Sequence, residues 1–238
     1  MTRSGRHVVL LSLLVAAGWA GAGCGHPEYS GFLEPYDGFQ KIGKLNPNLE
    51  YVRPGVDWEG YQKVRIAQVL TNVEPKEGYR AVNPDELKRL TDAFETELKE
   101  AFAENYAITT EPGPGVLDVR AAITRLRPTN RAANVASWVL PGSLAITTGF
   151  QAATNSNLAL GEAGTEVAFV DSETGGRLYG FVGLHLGSGI ELQQVTRWGI
   201  AENALKKWAS YLAERLLTLR SSGESGPPAS EAGDVRPP

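Results

Sequence analysis

The sequence predicts a single α+β domain in which a mixed sheet of about four to five strands carries two long helices on one face. Two segments place apolar residues at helical spacing, and several shorter ones alternate apolar and polar residues as strands do. The 238-residue chain is long enough for one domain but not comfortably for two. It contains one cysteine, so its stability must come from a packed core and not from disulfides.

Residues 1–23 have the three parts of a secretory signal. Arg3 and Arg6 form the charged start, an apolar run extends from Val8 to Ala17, and small residues follow from Ala20 to Gly23. The apolar run is shorter than the roughly 20 residues that a membrane-spanning helix needs. We therefore predict a signal peptide that is cleaved off.

Cys24 is the predicted lipid attachment point. The ending Gly21-Ala22-Gly23-Cys24 resembles the lipobox of bacterial lipoproteins, which implies that the thiol is alkylated with a diacylglycerol and becomes the new N-terminus. The alternative is ordinary secretion, because Ala20-Gly21-Ala22 also fits a small-x-small cleavage site. We favour lipidation, since an unpaired thiol is otherwise unusual there. By resemblance to lipoprotein sorting, Gly25 implies the outer membrane, with the domain in the periplasm.

The charge argues against nucleic acid as a partner. Removal of residues 1–23 takes away Arg3 and Arg6, so the net charge falls from −4 to −6. Binding to nucleic acid depends on Lys and Arg side chains that neutralise phosphates. The expected partners are the membrane, through Cys24, and a protein of the envelope.

Residues 24–61 are rich in Gly, Pro and Asn, and they also carry scattered aromatic residues. The helix and strand breakers exclude long regular elements, yet so many rings are unusual in a flexible tether. We predict a lipid-anchored, extended arm that lies over the domain of residues 62–220; the alternative is a peptide that docks on a partner. Residues 221–238 are mainly Ser, Gly, Pro, Glu and Ala with one Val, too little apolar surface to offset the entropy of ordering, and are predicted to be disordered. The aromatic residues of the arm are Tyr29, Phe32, Tyr36, Phe39, Tyr51, Trp58 and Tyr61.

The first half of the domain predicts strand, helix and strand. Apolar residues indicate a strand over 63–71, and a short strand is expected over 106–110. Between them, Asn83 is the predicted N-cap and Pro84 the first residue of a helix that ends near Glu104. The apolar stripe of this helix consists of Leu87, Leu90, Phe94, Leu98 and Phe102.

The second half predicts a half-buried strand, a hairpin and a last helix. Leu117, Val119, Ala121 and Ile123 alternate with polar residues that include Asp118 and Thr124. Strands over 166–170 and 177–186 flank the polar turn of residues 171–176. On the second strand, Leu178, Val182, Leu184 and Leu186 are predicted to share a face, and Gly180 and Gly183 to weaken or bend it. The last helix is predicted over 193–219.

The stretch from Ala132 to Gly161 carries no charge, in a chain of which 21% is charged. We interpret it first as a crossover that covers the sheet. The alternative is an exposed apolar surface for a partner or the bilayer, because such patches usually mark contact sites. The candidate contact residues are Trp138, Val139, Leu140 and Phe150.

Short motifs in a fixed order resemble a family of bacterial lipoproteins known as domain of unknown function 3313. This resemblance covers nearly the whole mature chain and implies an exported lipoprotein without an established activity. The motifs are Ser30-Gly31-Phe32-Leu33, Val56-Asp57-Trp58, Tyr61-Gln62-Lys63-Val64, Pro112-Gly113-Pro114-Gly115-Val116-Leu117, Asp171-Ser172-Glu173-Thr174-Gly175 and a last helix that contains tryptophan.

Candidates for catalysis or cofactor binding are few. His185 is predicted to lie on a strand surface, where a catalytic role would need a carboxylate and a nucleophile nearby. Asp118, Glu166 and Asp171 could form a pair of acids, but solvated strand and loop positions explain them equally well. The spacing of His, Cys, Asp and Glu matches no metal motif, and we expect no metal and no cofactor.

Three functions of different classes remain. The favoured one is a non-catalytic binding or assembly module of the envelope. The second is a carrier of a small apolar molecule or lipid, which would need a cavity between helices and sheet. The third is a hydrolase that uses carboxylates, which would need two of them to converge in a cleft.

Overall fold

A computed structural model of the chain describes residues 29–42, 47–73, 82–129, 160–187 and 196–222. These residues form one sheet of eight strands with two helices, and the α+β class predicted from the sequence is confirmed. The strands are β1 (Gln40–Lys41), β2 (Leu49–Val52), β3 (Lys63–Ile66), β4 (Leu70–Thr71), β5 (Ala107–Ile108), β6 (Val116–Thr129), β7 (Leu160–Asp171) and β8 (Arg177–Leu186). The helices are α1 (Pro84–Ala103) and α2 (Gly199–Ser222).

The strand order in the sheet is β1-β2-β8-β7-β6-β3-β5, and β4 pairs with β6 beyond the end of β3. Strands β3, β4 and β5 are in parallel pairs, whereas β6, β7, β8, β2 and β1 form successive antiparallel pairs. Helix α1 connects the parallel part of the sheet, as parallel neighbours require. The sheet is therefore mixed, with its longest strands at the centre.

Both helices pack on one face of the sheet and form the main core. The Asn83 side chain accepts a hydrogen bond from the backbone N–H of Asp85 at 2.9 Å, so the predicted N-cap is confirmed. Phe94 of α1 and Leu212 of α2 are fully buried in this core. From the strands, the core takes in Val64, Leu117, Val119, Ile123, Leu126, Val167, Phe169, Tyr179 and Phe181.

The predicted number of four to five strands is wrong, because the sheet has eight. Two of the additional strands, β1 and β2, come from the segment predicted to be an extended arm. They are two and four residues long, too short for a periodic pattern to be recognised between breakers. The strand predicted over 63–71 is divided into β3 and β4, and both pair with β6.

Strand β6 is largely buried on both faces, with Arg120 exposed, so its prediction as half-buried is mostly wrong. Asp118 and Thr124 lie on the face predicted to be exposed, yet their exposures are 1% and 9%. The assignment of faces on β8 also needs correction. Tyr179 and Phe181 belong to the helix-side core, whereas Val182 packs in a smaller cluster on the opposite face.

The predicted hairpin is confirmed, since β7 and β8 flank the turn after Asp171. The last predicted helix is also present, and its described part begins at Gly199 and ends at Ser222. Strands β6 and β7 are antiparallel neighbours, with Thr129 opposite Leu160. The connection over 130–159 therefore joins adjacent strands, which a crossover does not do; its own residues lie outside the described ones.

Among the described residues, neither helix is both long and apolar enough to cross a bilayer.

Gly183 leaves room on the helix face of β8 for two aromatic rings. A Cβ atom there would lie 2.7 Å from Cε1 of Phe181 and 2.8 Å from Cε2 of Trp208. We predict that Gly183→Ala lowers the free energy of unfolding by about 1–3 kcal/mol, the usual cost of overpacking a core. Chemical denaturation followed by tryptophan fluorescence measures this loss.

Gly60→Ala is the matched control for this prediction. Its new Cβ would come no closer than 3.5 Å to another heavy atom, which is an ordinary contact. Equal stability of the two variants would contradict the packing argument.

Candidate functional site

The face of the sheet opposite the helices is covered by residues 29–42, which we call the arm segment. Beneath it lies a small core of Leu33 from the arm segment, Leu49 of β2, and Ala168, Val170 and Val182 of the central strands. Three rings of the arm segment pack against this core, namely those of Phe32, Tyr36 and Phe39. This face is the candidate functional site, because it combines buried charges, aromatic rings and a groove.

Glu166 holds the arm segment on the sheet. Its side chain is fully buried on β7. One carboxylate oxygen accepts a hydrogen bond from the backbone N–H of Ser30 at 2.7 Å. The other accepts from the backbone N–H of Leu33 at 3.1 Å and from the hydroxyl of Tyr36 at 2.7 Å. Both oxygens therefore have partners, as a buried carboxylate requires.

Tyr36 is the central side chain of this contact. Its hydroxyl donates to Glu166 and accepts from the backbone N–H of Gly31 at 2.7 Å. Burial and the hydrogen bond to Glu166 raise the pKa of Tyr36 to about 12, so the hydroxyl keeps its proton at neutral pH. Its ring stacks on that of Tyr29 with 4.0 Å between the centroids.

Arg177 also holds the arm segment on the sheet. Its guanidinium donates to the carbonyl oxygens of Leu33 and Pro35, the latter at 2.7 Å. The same group lies 5.4 Å from the centroid of Phe39 and 5.2 Å from that of Tyr51, within the range of cation–π contacts. One cation therefore connects β8, β2 and the arm segment.

Gly180 of β8 allows the arm segment to lie close to the sheet. A Cβ atom at this position would come within 2.4 Å of Cζ of Phe39. Gly180, which was predicted to weaken the strand, therefore leaves room for the ring of Phe39.

An open groove of about 440 Å³ lies between the arm segment and the sheet. Its floor consists of Ala168 and Val170, and three arginines surround it: Arg53, Arg120 and Arg177. The remaining lining residues are Phe32, Leu33, Glu34, Pro35, Tyr51 and Gly175. The sequence pattern gave no sign of this groove, because its arginines belong to three separate segments.

Asp118 and Glu166, which the sequence suggested as acids of a catalytic pair, lie on the same face but far apart. Asp118 accepts two hydrogen bonds from Arg65, at 2.6 and 2.5 Å, and a longer one from Arg120 at 3.4 Å. Glu166 pairs with Ala122, four residues further along β6 than Asp118. This separates their backbones by about 13 Å along the strands, and the two carboxylates bind different partners: Arg65 and Arg120 for Asp118, and the arm segment for Glu166.

Asp171 has a structural role in the hairpin turn. One of its oxygens accepts from the hydroxyl and the backbone N–H of Thr174, and the other accepts from the hydroxyl of Tyr61 at 2.7 Å. The hydrogen bonds from Thr174 and Tyr61 lower the pKa of Asp171. The three candidate acids therefore do not converge in one cleft.

A polar cluster on the helix side of the sheet was not foreseen from the sequence. Glu50 of β2 accepts hydrogen bonds from Arg215 of α2, at 3.1 and 3.2 Å, and from the hydroxyl of Tyr179 at 3.3 Å. The hydroxyl of Tyr211 of α2 lies 3.5 Å from the same carboxylate. Burial, and to a smaller extent the charge of Glu50, raises the pKa of Tyr211 to about 12. This cluster fixes β2 to the last helix.

The other candidate residues have simpler positions. His185 is half-buried on β8, next to the exposed Leu186. Within the described part of the chain, no three residues among His, Cys, Asp and Glu are placed to hold a metal ion. Cys24 and the candidate contact residues Trp138, Val139, Leu140 and Phe150 lie outside the described residues.

The Glu166 contact predicts that the arm segment is released when the carboxylate is neutralised. Glu166→Gln keeps the size of the side chain but replaces one acceptor oxygen with an NH₂ group, which faces donors. We expect a loss of about 1–3 kcal/mol in the free energy of docking. Hydrogen exchange should then be faster at the amides of Ser30 and Leu33.

Glu34→Gln is the control, because Glu34 is an exposed residue of the same segment. Unchanged protection of both amides in Glu166→Gln would mean that the carboxylate does not hold the arm segment.

Two curated relatives share part of the sequence. They are the Uncharacterized lipoprotein YdcL of Escherichia coli strain K12 and that of Escherichia coli O157:H7. Each is 30% identical over 117 residues, which cover 48% of this chain and 52% of the relative. The chain therefore spans about half the length of the curated relatives it matches.

Two solved structures show weak similarity. The PelC dodecamer from Paraburkholderia phytofirmans is 11% identical, with 68% of this chain and 96% of that chain covered and a TM-score of 0.39. Protein XCC0632 from Xanthomonas campestris, of family DUF330, is 15% identical, with 72% and 94% covered and a TM-score of 0.40. These similarities are too weak to support a conclusion about function.

The family resemblance predicted from the motifs is confirmed by a match to a family model. The matched region extends over residues 28–212, which includes the arm segment, the whole sheet and most of α2. The chain belongs to the family described as Protein of unknown function (DUF3313).

Proposed function

We propose that this protein is a bacterial envelope lipoprotein, anchored by a lipid on Cys24, that acts as a non-catalytic binding or assembly module. The observation that carries the proposal is Cys24 itself, directly after an export signal. The two relatives from Escherichia coli, which are named as lipoproteins, support it. Gly25 in place of Asp favours the outer membrane, with the domain in the periplasm.

A docked arm segment would keep the domain close to its anchor. Four residues lie between Cys24 and Tyr29, the first described residue, so five Cα–Cα steps join the two. Even a fully extended chain spans at most about 18 Å over that length. Because Glu166 holds the arm from Ser30 onward, the anchored domain would lie against the leaflet and not at the end of a long tether.

The binding role is supported by the use of the acidic residues. Asp118, Glu166 and Asp171 form hydrogen bonds that connect strands, turn and arm segment. These contacts account for the three candidate acids without a reaction. The hypothesis of a carboxylate-dependent hydrolase gains no support from their geometry.

The uncharged stretch is the proposed contact with an envelope protein. The connection that contains most of it leaves the sheet at Thr129 and re-enters it at Leu160, and these two residues are paired across β6 and β7. Trp138, Val139, Leu140 and Phe150 would supply the apolar side chains, a residue class that is enriched in the cores of interfaces.

Cys24→Ser tests the anchor. We expect the variant in the soluble exported fraction, because each buried methylene contributes about 0.8 kcal/mol to membrane attachment and serine accepts no thioether-linked lipid. Cell fractionation with mass spectrometry of the mature N-terminus is the measurement. Gly23→Ala, which keeps the cysteine and a small neighbour, should stay in the membrane. An unacylated wild-type N-terminus would overturn the anchor.

The contact hypothesis predicts a loss of crosslinking in intact cells. Trp138→Ser combined with Phe150→Ser should reduce the yield of a specific crosslinked species by about tenfold or more, since aromatic anchors dominate interfaces. The soluble Cys24→Ser variant shows whether the same species depends on the anchor. An unchanged crosslinking pattern in the double variant would refute this contact.

A further inference from the structure

We propose that the groove beneath the arm segment binds a ligand with an anionic head and an apolar body. The inference deepens the binding role proposed above, but it is independent of lipid attachment at Cys24. It is derived from the charges, the free donors and the shape of the groove.

The groove is positive in a protein that is negative overall. Arg53, Arg120 and Arg177 line it, and Glu34 is the acidic residue among its lining residues. The nearby Asp118 is already paired with Arg65 through two short hydrogen bonds. A net charge of −4 for the whole chain makes this local excess of cations distinctive. Such a concentration of one sign attracts a ligand of the opposite charge.

Two of the three guanidinium groups have donors to offer. The side chain of Arg53 is exposed and makes no hydrogen bond to another described residue. That of Arg120 is 48% exposed, and its one contact, with Asp118, is long at 3.4 Å. Planar guanidinium groups bind carboxylates and phosphates with two parallel hydrogen bonds.

Arg177 contributes charge and shape. Its N–H groups bind the carbonyl oxygens of Leu33 and Pro35, so it is fixed in place as part of the wall. Its positive charge remains uncompensated by these neutral acceptors. An anion in the groove would therefore contact the fixed guanidinium of Arg177 and the guanidinium groups of Arg53 and Arg120, which have donors to offer.

The groove also has apolar surface beside its three arginines. Ala168 and Val170 form its floor and Leu33 closes it from the arm side, but all three are buried, so the apolar surface that a ligand can reach lies at the rim. Phe32 and Pro35 add apolar surface at the rim. A volume of about 440 Å³ lies in the range of small-molecule sites, about 300–1,000 Å³. An inorganic anion would leave this apolar surface uncovered, whereas an amphiphile would fill it.

The test uses the full exported chain with Cys24→Ser, titrated by calorimetry with four probes. Dihexanoyl phosphatidic acid carries both parts of the ligand, inorganic phosphate only the head, and dihexanoylglycerol only the body. Decanoate replaces the phosphate by a carboxylate. We expect phosphatidic acid or decanoate to bind at least about tenfold more tightly than the head or the body alone. Preference for phosphatidic acid indicates a phospholipid, and preference for decanoate a free fatty acid.

Arg53→Gln combined with Arg120→Gln should weaken binding of the preferred amphiphile by about tenfold or more, since each lost charge-assisted bond contributes to affinity. Lys88→Gln combined with Arg89→Gln on α1 is the matched control, because it also removes two positive charges, but from exposed positions on the helix side. Both proteins should keep the melting temperature of the parent.

Two results would overturn the proposal. One is equal affinity of the double variant and the parent for the amphiphile. The other is binding of inorganic phosphate as tightly as phosphatidic acid, which would remove any role of the apolar surface at the rim. Neither result would touch the anchor, which is tested by the acylation of Cys24.

Discussion

The burial of one carboxylate, that of Glu166, determines how the N-terminal part of this protein is arranged. Burying an ionised carboxylate away from water costs free energy unless hydrogen-bond donors bind its oxygens. Here the donors are two backbone amides and one hydroxyl, and all three belong to the arm segment. If the arm segment were absent, the strand would present an unsatisfied carboxylate. Sheet and arm therefore form one folding unit.

The groove depends on the same contact. Phe32, Leu33 and Pro35 form one of its sides, and they are positioned by the hydrogen bonds to Glu166 and by Arg177. On the other side of the sheet, Glu50 fixes β2 to α2, and the arginine at position 53 follows β2 directly. The groove is thus assembled from segments that are held by two acidic residues.

The sequence predicted those elements whose signals are local. Asn83 and Pro84 mark the start of α1, and the polar turn after Asp171 marks the hairpin, so both are found where they were expected. Strands β1 and β2 are too short to give a periodic signal. Glu166 could not be assigned a role, because its three partners lie 130 to 136 residues away in the chain. The arginines of the groove, at positions 53, 120 and 177, also lie far apart in the chain, and only the fold brings them together.

The pairing of Thr129 with Leu160 has a consequence for the history of this chain. Since the polypeptide leaves and re-enters the sheet at adjacent points, the segment between them can change in length at little cost in loop-closure entropy. Evolution can therefore lengthen or shorten this connection while the scaffold of the sheet stays constant.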